Sequence, residues 1–573
     1  MTFSKKSLLL SSAVISSLLA LQAAADNPPG TSAPVPMSSM QQAPASLADW
    51  ARGARLFPGL GSTHRQITTN SAEAQQYFDQ GMRLMWAFNH DESSRSFARA
   101  AQLDPRCAMC LWGVALTVGP NYNMPMMAAP RARVAFDSLK RATQLLEGAS
   151  PVERALITAL QARYPSPAAL DPSNEGPVLT AYANAMRGVA HRFPEDSDVQ
   201  TMFAESLMNI NAWRLWTPDG KPNAGTEEIV ATLEAVLARD PEHPGANHYY
   251  VHALEASPHP EKALAAAERL RGMMPAAGHL EHMPAHIMQR VGRYEDAAEA
   301  NRKGAAADRA YLAETRPLDY YPMYLAHNLQ FLGYSTAMEG RKAETFSAMK
   351  QLREVFPEEA MLAAPGMDWY GAEGYLAMVR FGLWDEILAQ PAPNSALAEL
   401  TCGYLFATTS ALAAKGRVGE AKQSLAKLES IRASLPAGAS AGNNSAADVL
   451  RLASTVARSR IELAEHHPDV AIQTLTTAVA EEDRLAYDEP SNWFFPVRHL
   501  LGAELLAAGK SAAAESVYRE DLRRNPDNGW SLFGLAQALR AQHRESEAMQ
   551  VEARFKQAWE HADVTLTSSE VGL

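Results

Sequence analysis

Three histidine-bearing segments follow one another in this chain: Asn247-His248-Tyr249-Tyr250-Val251-His252, then His279-Leu280-Glu281-His282-Met283-Pro284-Ala285-His286, then His327-Asn328. His248 and His282 stand 34 residues apart, and so do His252 and His286. Four-residue spacing puts two imidazoles on one helical face. A period of 34 residues is that of a helix-turn-helix repeat, so the two pairs should occupy equivalent helices of successive repeats and converge. Several imidazoles with a carboxylate, Glu255 or Glu281, form a donor set for Zn²⁺, Cu²⁺ or non-haem iron, and Met283 keeps copper in view. The candidate ligands are therefore His248, His252, His279, His282, His286, His327 and Glu255. A lone helical histidine is ordinarily a surface or hydrogen-bonded residue, and it is the repetition that sets these apart.

A second set lies nearer the N-terminus, where His90 precedes Cys107-Ala108-Met109-Cys110 and the loop Met124-Pro125-Met126-Met127. The cysteine pair can close as a disulfide across one helical turn, lend two soft ligands to a metal, or pack as small buried residues. No second pair completes a zinc site, which favours a structural role and leaves Cys402 odd. The three methionines suit Cu(I), yet methionine more often fills gaps in a core.

These side chains must be positioned by repeated helices. From Ala74 onward, Gly81, Leu84, Phe97, Ala100 and Pro105 take positions 8, 11, 24, 27 and 32 of a 34-residue unit. Near the C-terminus Gly502, Leu505, Ala514, Tyr518 and Pro526 take positions 8, 11, 20, 24 and 32. Small residues at 8 and 20 let paired helices approach, the aromatic at 24 fills the space between repeats, and Pro at 32 ends the second helix. In the degenerate centre, Ala263 and Ala297 hold position 20, and turns are expected at Gly292, Gly340 and Gly416. That register places His248 and His252 at positions 5 and 9 of one unit, with His282 and His286 at the same positions of the next. Pro284 should open the regular helix there, with His279 and His282 at its entry.

Residues from about 64 to 555 resemble a family of large exported bacterial tetratricopeptide-repeat proteins. The likeness is carried by Phe88-Asn89-His90, by Leu103 to Gly113 with the cysteine pair, by Gly119-Pro120-Asn121-Tyr122-Asn123, by the histidine segments, and by Tyr487 to Pro490 with Trp493 and Pro496-Val497-Arg498. The resemblance implies an all-α, right-handed superhelical solenoid of antiparallel helix pairs and no established reaction. It also implies that first-helix positions 2, 5, 9 and 12 line a concave groove, which would place the histidines and Glu255 there. Tyr249, Tyr250, Tyr320, Tyr321 and Tyr324 on the same helices would suit an aromatic or peptide ligand equally well.

Composition narrows the partners. The chain has 573 residues, 47% hydrophobic and 20% charged, with a formal net charge of −12 and no basic block, which argues against nucleic acid. Residues 1–25 read as a cleavable export signal, with Lys5 and Lys6, an apolar run from Leu8 to Leu21, and Ala23-Ala24-Ala25 at the cleavage site. A periplasmic or secreted protein that is not integral to a membrane is the expectation. Residues 26–46 read as a linker, 47–220 as N-terminal repeats, 221–355 as the histidine-rich centre and 356–573 as C-terminal repeats. Leu435 to Asp448 reads as a flexible connection, which disposes of its Gly438-x-Ser440-x-Gly442 string as a nucleophile elbow. Gly509-Lys510-Ser511 lacks the earlier glycine of a phosphate loop. The function expected is a transition-metal site (Cu, Zn or Fe) in the groove, for metal handling or metal-dependent chemistry. The alternative is a scaffold that binds a protein or peptide partner, or a small molecule, with no cofactor; whether the chain is an enzyme stays open.

Overall fold

A computed structural model describes residues 43–315, 321–364 and 366–571. The signal segment, the start of the linker and Tyr320 lie outside the described residues. The architecture is all-α, as the repeat register predicts: antiparallel helix pairs succeed one another, and the strands among the described residues are one two-residue hairpin. Among those residues no helix is long and apolar enough to cross a membrane.

The chain divides into two compact units. One holds the described residues up to Ile287 together with Arg302–Leu325; the other holds Met288–Asn301 and the residues from Ala326 onward. Local chemistry sets the helix boundaries. Ser71, Asn89 and Asp196 each cap a helix by accepting from a backbone N–H three residues on, replacing a bond the first turn cannot make. Gly292, Gly340 and Gly416 stand at the expected turns with φ of 82°, 69° and 70°, a left-handed conformation that suits glycine at a helix end.

The spacing rule has a visible mechanism. Phe97 is wedged between Gly81 and Gly113, where an added Cβ would sit 2.6 and 2.4 Å from its ring. Tyr518 is wedged in the same way between Gly502 and Gly534. Ala263, Ala297 and Ala514 at position 20 are wholly buried. An aromatic in each case replaces contacts that larger residues on its neighbours would make, so repeats stack without voids.

The segment expected to be a flexible connection is instead tied down. Ser440–Ala441 pairs with Asn444–Ser445 as a tight hairpin. The Asn443 backbone N–H donates to Asp488 Oδ2 at 2.9 Å, and Asn492 Nδ2 donates to the Ala441 carbonyl at 2.9 Å. Its polar composition thus serves side-chain to backbone bonding rather than mobility.

This second unit carries several buried carboxyls. Burial pushes Glu339, Glu399 and Glu482 up to about 8 and Asp488 up to about 7, more than neighbouring cations and hydrogen bonds pull them down. A folded pKa above the unfolded value means the native state holds the proton longer. Stability from these groups is complete below about pH 4 and is lost as pH rises through 7 to 8. Between about pH 7.5 and about pH 9, where unfolded histidine is already largely deprotonated, the melting temperature should fall by on the order of 5 °C. Calorimetry across that range checks this, and a flat or rising profile would contradict it.

Candidate metal centre

The helix Pro244–Leu254 presents His248 and His252 one turn apart, with ring centroids 4.9 Å from each other. Its approach to the helix Ala72–Trp86 is made possible by Gly245, where a Cβ would lie 2.4 Å from the Trp86 indole. His248 thereby reaches the Trp86 carbonyl, one of the orphan acceptors at that helix end. His248 Nδ1–H donates to it at 2.5 Å. A carbonyl only accepts, so the neutral ring keeps its lone pair on Nε2.

The next histidine segment breaks where Pro284 predicts. The short helix Gly278–His282 carries His279 and His282, and Pro284–Arg290 carries His286. His279 Nε2 lies 3.1 Å from His248 Nε2, and the ligand nitrogens of His248, His252 and His279 all fall within 4.8 Å of one another. Three nitrogens held ~2.0–2.1 Å from one tetrahedral ion would sit ~3.3 Å apart, so small ring movements complete that geometry.

Glu255 takes a different place from the one expected of a ligand to this trio. Its Oε1 accepts from His252 Nδ1 at 3.0 Å, and its Oε2 faces His286 Nδ1 at 2.9 Å. The carboxylate thus holds His252 in the tautomer whose Nε2 points toward His248 and His279, as outer carboxylates do for metal-bound imidazoles. His286 Nε2 in turn lies 2.6 Å from His282 Nε2.

The groove expected around these residues is not where they lie. His248, His252, His279, His282, His286 and Glu255 are each at most 3% exposed. Aromatic rings close over them: Phe88 stacks on His252 and His279 and meets His248 edge-on, Tyr122 and Trp213 cover His252, and Tyr324 covers His279. Phe88 and Trp213 hold φ of 54° and 61°, costing each on the order of 1 kcal/mol in backbone strain. Two of the strained residues of the chain therefore place their rings on the same histidine.

Burial also sets the charge. It pulls the His248 imidazole down to about 3, against the favourable Trp86 bond, and pulls His279 well below the usual range, helped by the four neighbouring histidines. Both rings are neutral at pH 7 and able to act as ligands. Without an ion, His279 Nε2–H donates to His248 Nε2; an ion would displace that proton, and His279 Nδ1, which makes no hydrogen bond among the described residues, is free to take it.

The other candidates make contacts of their own. His327 lies on the helix Pro322–Met338, in the other compact unit, with Nδ1 3.3 Å from Gln330 Oε1. Glu281 Oε1 accepts from the Gly272 backbone N–H at 3.0 Å. Cys107 and Cys110 form a disulfide, which removes both thiolates as metal ligands, and Cys402 is buried and free. His90 is buried, held down to about 3 chiefly by burial and then by Arg163 and Arg131. The covering residues Phe88, Tyr122 and Trp213 escaped the reading of spacing; only the strings Phe88-Asn89-His90 and Asn121-Tyr122-Asn123 marked their segments.

No protein-family model matches the chain, and no curated protein matches it. Among solved structures it is similar to the human IFIT1 dimer with m7Gppp-AAAA, at 12% identity over 78% of this chain and 90% of that one, with a TM-score of 0.32. It is also similar to yeast Tom70, at 12% identity over 86% of this chain and 92% of that one, TM-score 0.28. The TPR domain of P58(IPK) is 10% identical over 83% of this chain and the whole of that one, TM-score 0.21.

Proposed function

We propose that this chain is an exported metal-binding protein that holds a first-row transition ion (copper, zinc or iron) through Nε2 of His248, His252 and His279. The observation that carries the reading is the fixing of two tautomers from outside. The Trp86 carbonyl and the Glu255 carboxylate each take an Nδ1 proton, so that two lone pairs converge with His279 in a buried space. Hydrogen bonding within the cluster alone does not require both outer acceptors. Neutral nitrogen donors without thiolate suit Zn²⁺, Cu²⁺ and Fe²⁺ rather than Mg²⁺ or Ca²⁺.

The burial of the ligands favours retention of an ion over turnover of a large substrate. It also takes these histidines away from an extended peptide, which would need them at a surface. Lys5, Lys6 and the apolar run of residues 8–21 support export, and the Cys107–Cys110 disulfide is in keeping with an oxidising compartment.

The test is elemental mass spectrometry on residues 26–573, purified without a histidine tag, before and after reconstitution with Zn²⁺ or Cu²⁺. At least one tightly held ion per chain is expected. Metal-free protein that takes up none would overturn the reading and leave partner binding as the function. A cleft of 430 Å³ lined by Phe346, Met349, Arg353, Tyr375 and Met378 would then be the place to look.

A further inference from the structure

Glu255 does more than orient one ligand. Its two oxygens are divided between two imidazoles, Oε1 to His252 Nδ1 and Oε2 to His286 Nδ1, and each of those rings turns its other nitrogen toward a different set of donors. His252 Nε2 faces the trio with His248 and His279. His286 Nε2 faces His282 Nε2 at 2.6 Å. The two sets are neighbours: ring centroids lie 5.8 Å apart for His252 and His286, and 5.9 Å for His279 and His282.

Nothing in the packing of a plain core calls for this arrangement. Five imidazoles and one carboxylate, all at most 3% exposed, occupy volume that apolar side chains would fill at lower desolvation cost. A single three-histidine site would account for His248, His252 and His279 and for one oxygen of Glu255. His282, His286 and the second oxygen form a set of their own beside it. The His282–His286 pair repeats, 34 residues later, the His248–His252 pair that supplies two ligands of the first site.

We propose a two-ion centre: a second first-row transition ion binds between His282 Nε2 and His286 Nε2, and Glu255 is the positioning residue shared by both sites. The inference rests on the first site being a metal site. Two cis ligands ~2.0–2.1 Å from an ion sit at least ~2.9 Å apart, so the His282 and His286 rings part by a few tenths of an ångström when the ion enters. The negative charge of Glu255, placed between the two imidazole pairs, offsets part of the repulsion between two buried cations. Because the sites share one carboxylate, filling one stiffens the Nδ1 contact that orients a ligand of the other, and occupancy of the two is coupled.

The experiment titrates metal-free wild-type chain (residues 26–573, no tag) with Zn²⁺ by calorimetry and counts retained zinc after gel filtration. The double variant His279→Ala/His282→Ala reports background binding by exposed histidines such as His259. Two ions per chain above that background are expected, with His282→Ala retaining one and Glu255→Gln weakening both by ~10–100-fold. His282→Gln, which keeps a polar side chain of similar bulk, gives the same count should the alanine variant fold poorly, as judged by circular dichroism. One ion in the wild type, undiminished in His282→Ala and His282→Gln, overturns the second site and leaves the first standing. No ion above background overturns both.

Discussion

A His279→Ala chain should lose the ion held by the trio, its affinity falling by more than ~100-fold, because even an outer partner of a metal ligand is worth 10–100-fold and this removes a ligand itself. His279 is the informative position. It supplies no bond to the Trp86 carbonyl or to Glu255, so its removal leaves His248 and His252 oriented as before. Its cost to folding is that of truncating one buried ring beneath Phe88 and Tyr324, roughly 2–4 kcal/mol if the space does not collapse. Equilibrium dialysis against buffered Zn²⁺, with far-ultraviolet circular dichroism as the folding control, separates the two effects. Native helicity with unchanged affinity would show that these three nitrogens do not share an ion.

The largest purely structural effect is expected in the other unit, at Asp521. This carboxylate is wholly buried and receives four side-chain donors: His499 Nε2 at 2.9 Å, Ser531 Oγ at 2.7 Å, Asn528 Nδ2 at 3.0 Å and, on its other oxygen, Asn525 Nδ2 at 3.1 Å. His499 Nδ1 accepts from Arg380 Nη1 at 2.8 Å, and the Arg380 guanidinium lies 3.6 Å above the Trp530 ring. Four helices are joined through this one group: Asp368–Arg380, Val497–Ala507, Ser511–Arg524 and Gly529–Ala541. Burial by itself would raise the Asp521 carboxyl, yet His499, with Ser531 and Asn525, holds it down to about 2. Asp521→Ala strands four side-chain donors and removes the buried anion that faces Arg380 through His499, so a loss of about 3–5 kcal/mol is expected. Thermal unfolding should show that unit melting about 10 °C lower. Asp521→Asn, which keeps an acceptor but not the charge, should fall between; an alanine variant as stable as wild type would mean the network contributes nothing net. Since its folded pKa lies below the unfolded one, Asp521 contributes stability above about pH 4 that is lost as pH falls toward 2.

Both effects arise from helices whose existence and order were legible in the residues. Gly81 with Phe97 and Gly502 with Tyr518 announced how repeats stack, because a glycine and an aromatic at fixed offsets have one use on facing helices. The break at Pro284 and the glycine turns were equally legible, since each follows from a backbone property of the residue itself. The 34-residue period set the His248–His252 pair and the His282–His286 pair on equivalent helices; that His279, which is off this period, stands with the first pair did not follow from it.

What tertiary structure alone decided is the character of the site. Whether a first-helix face opens to solvent or is roofed over depends on distant residues, and Phe88, Tyr122, Trp213 and Tyr324 come from segments with no periodic relation to the histidines. The assignment of Glu255 to the outer nitrogens of His252 and His286 depends on a meeting of side chains 31 residues apart. The pairing of Cys107 with Cys110 was one of three uses the residues allowed. Sequence periodicity specifies which residues share a face; only the packing of one element on another decides what that face meets, and from that follow burial, proton positions and the capacity to hold an ion.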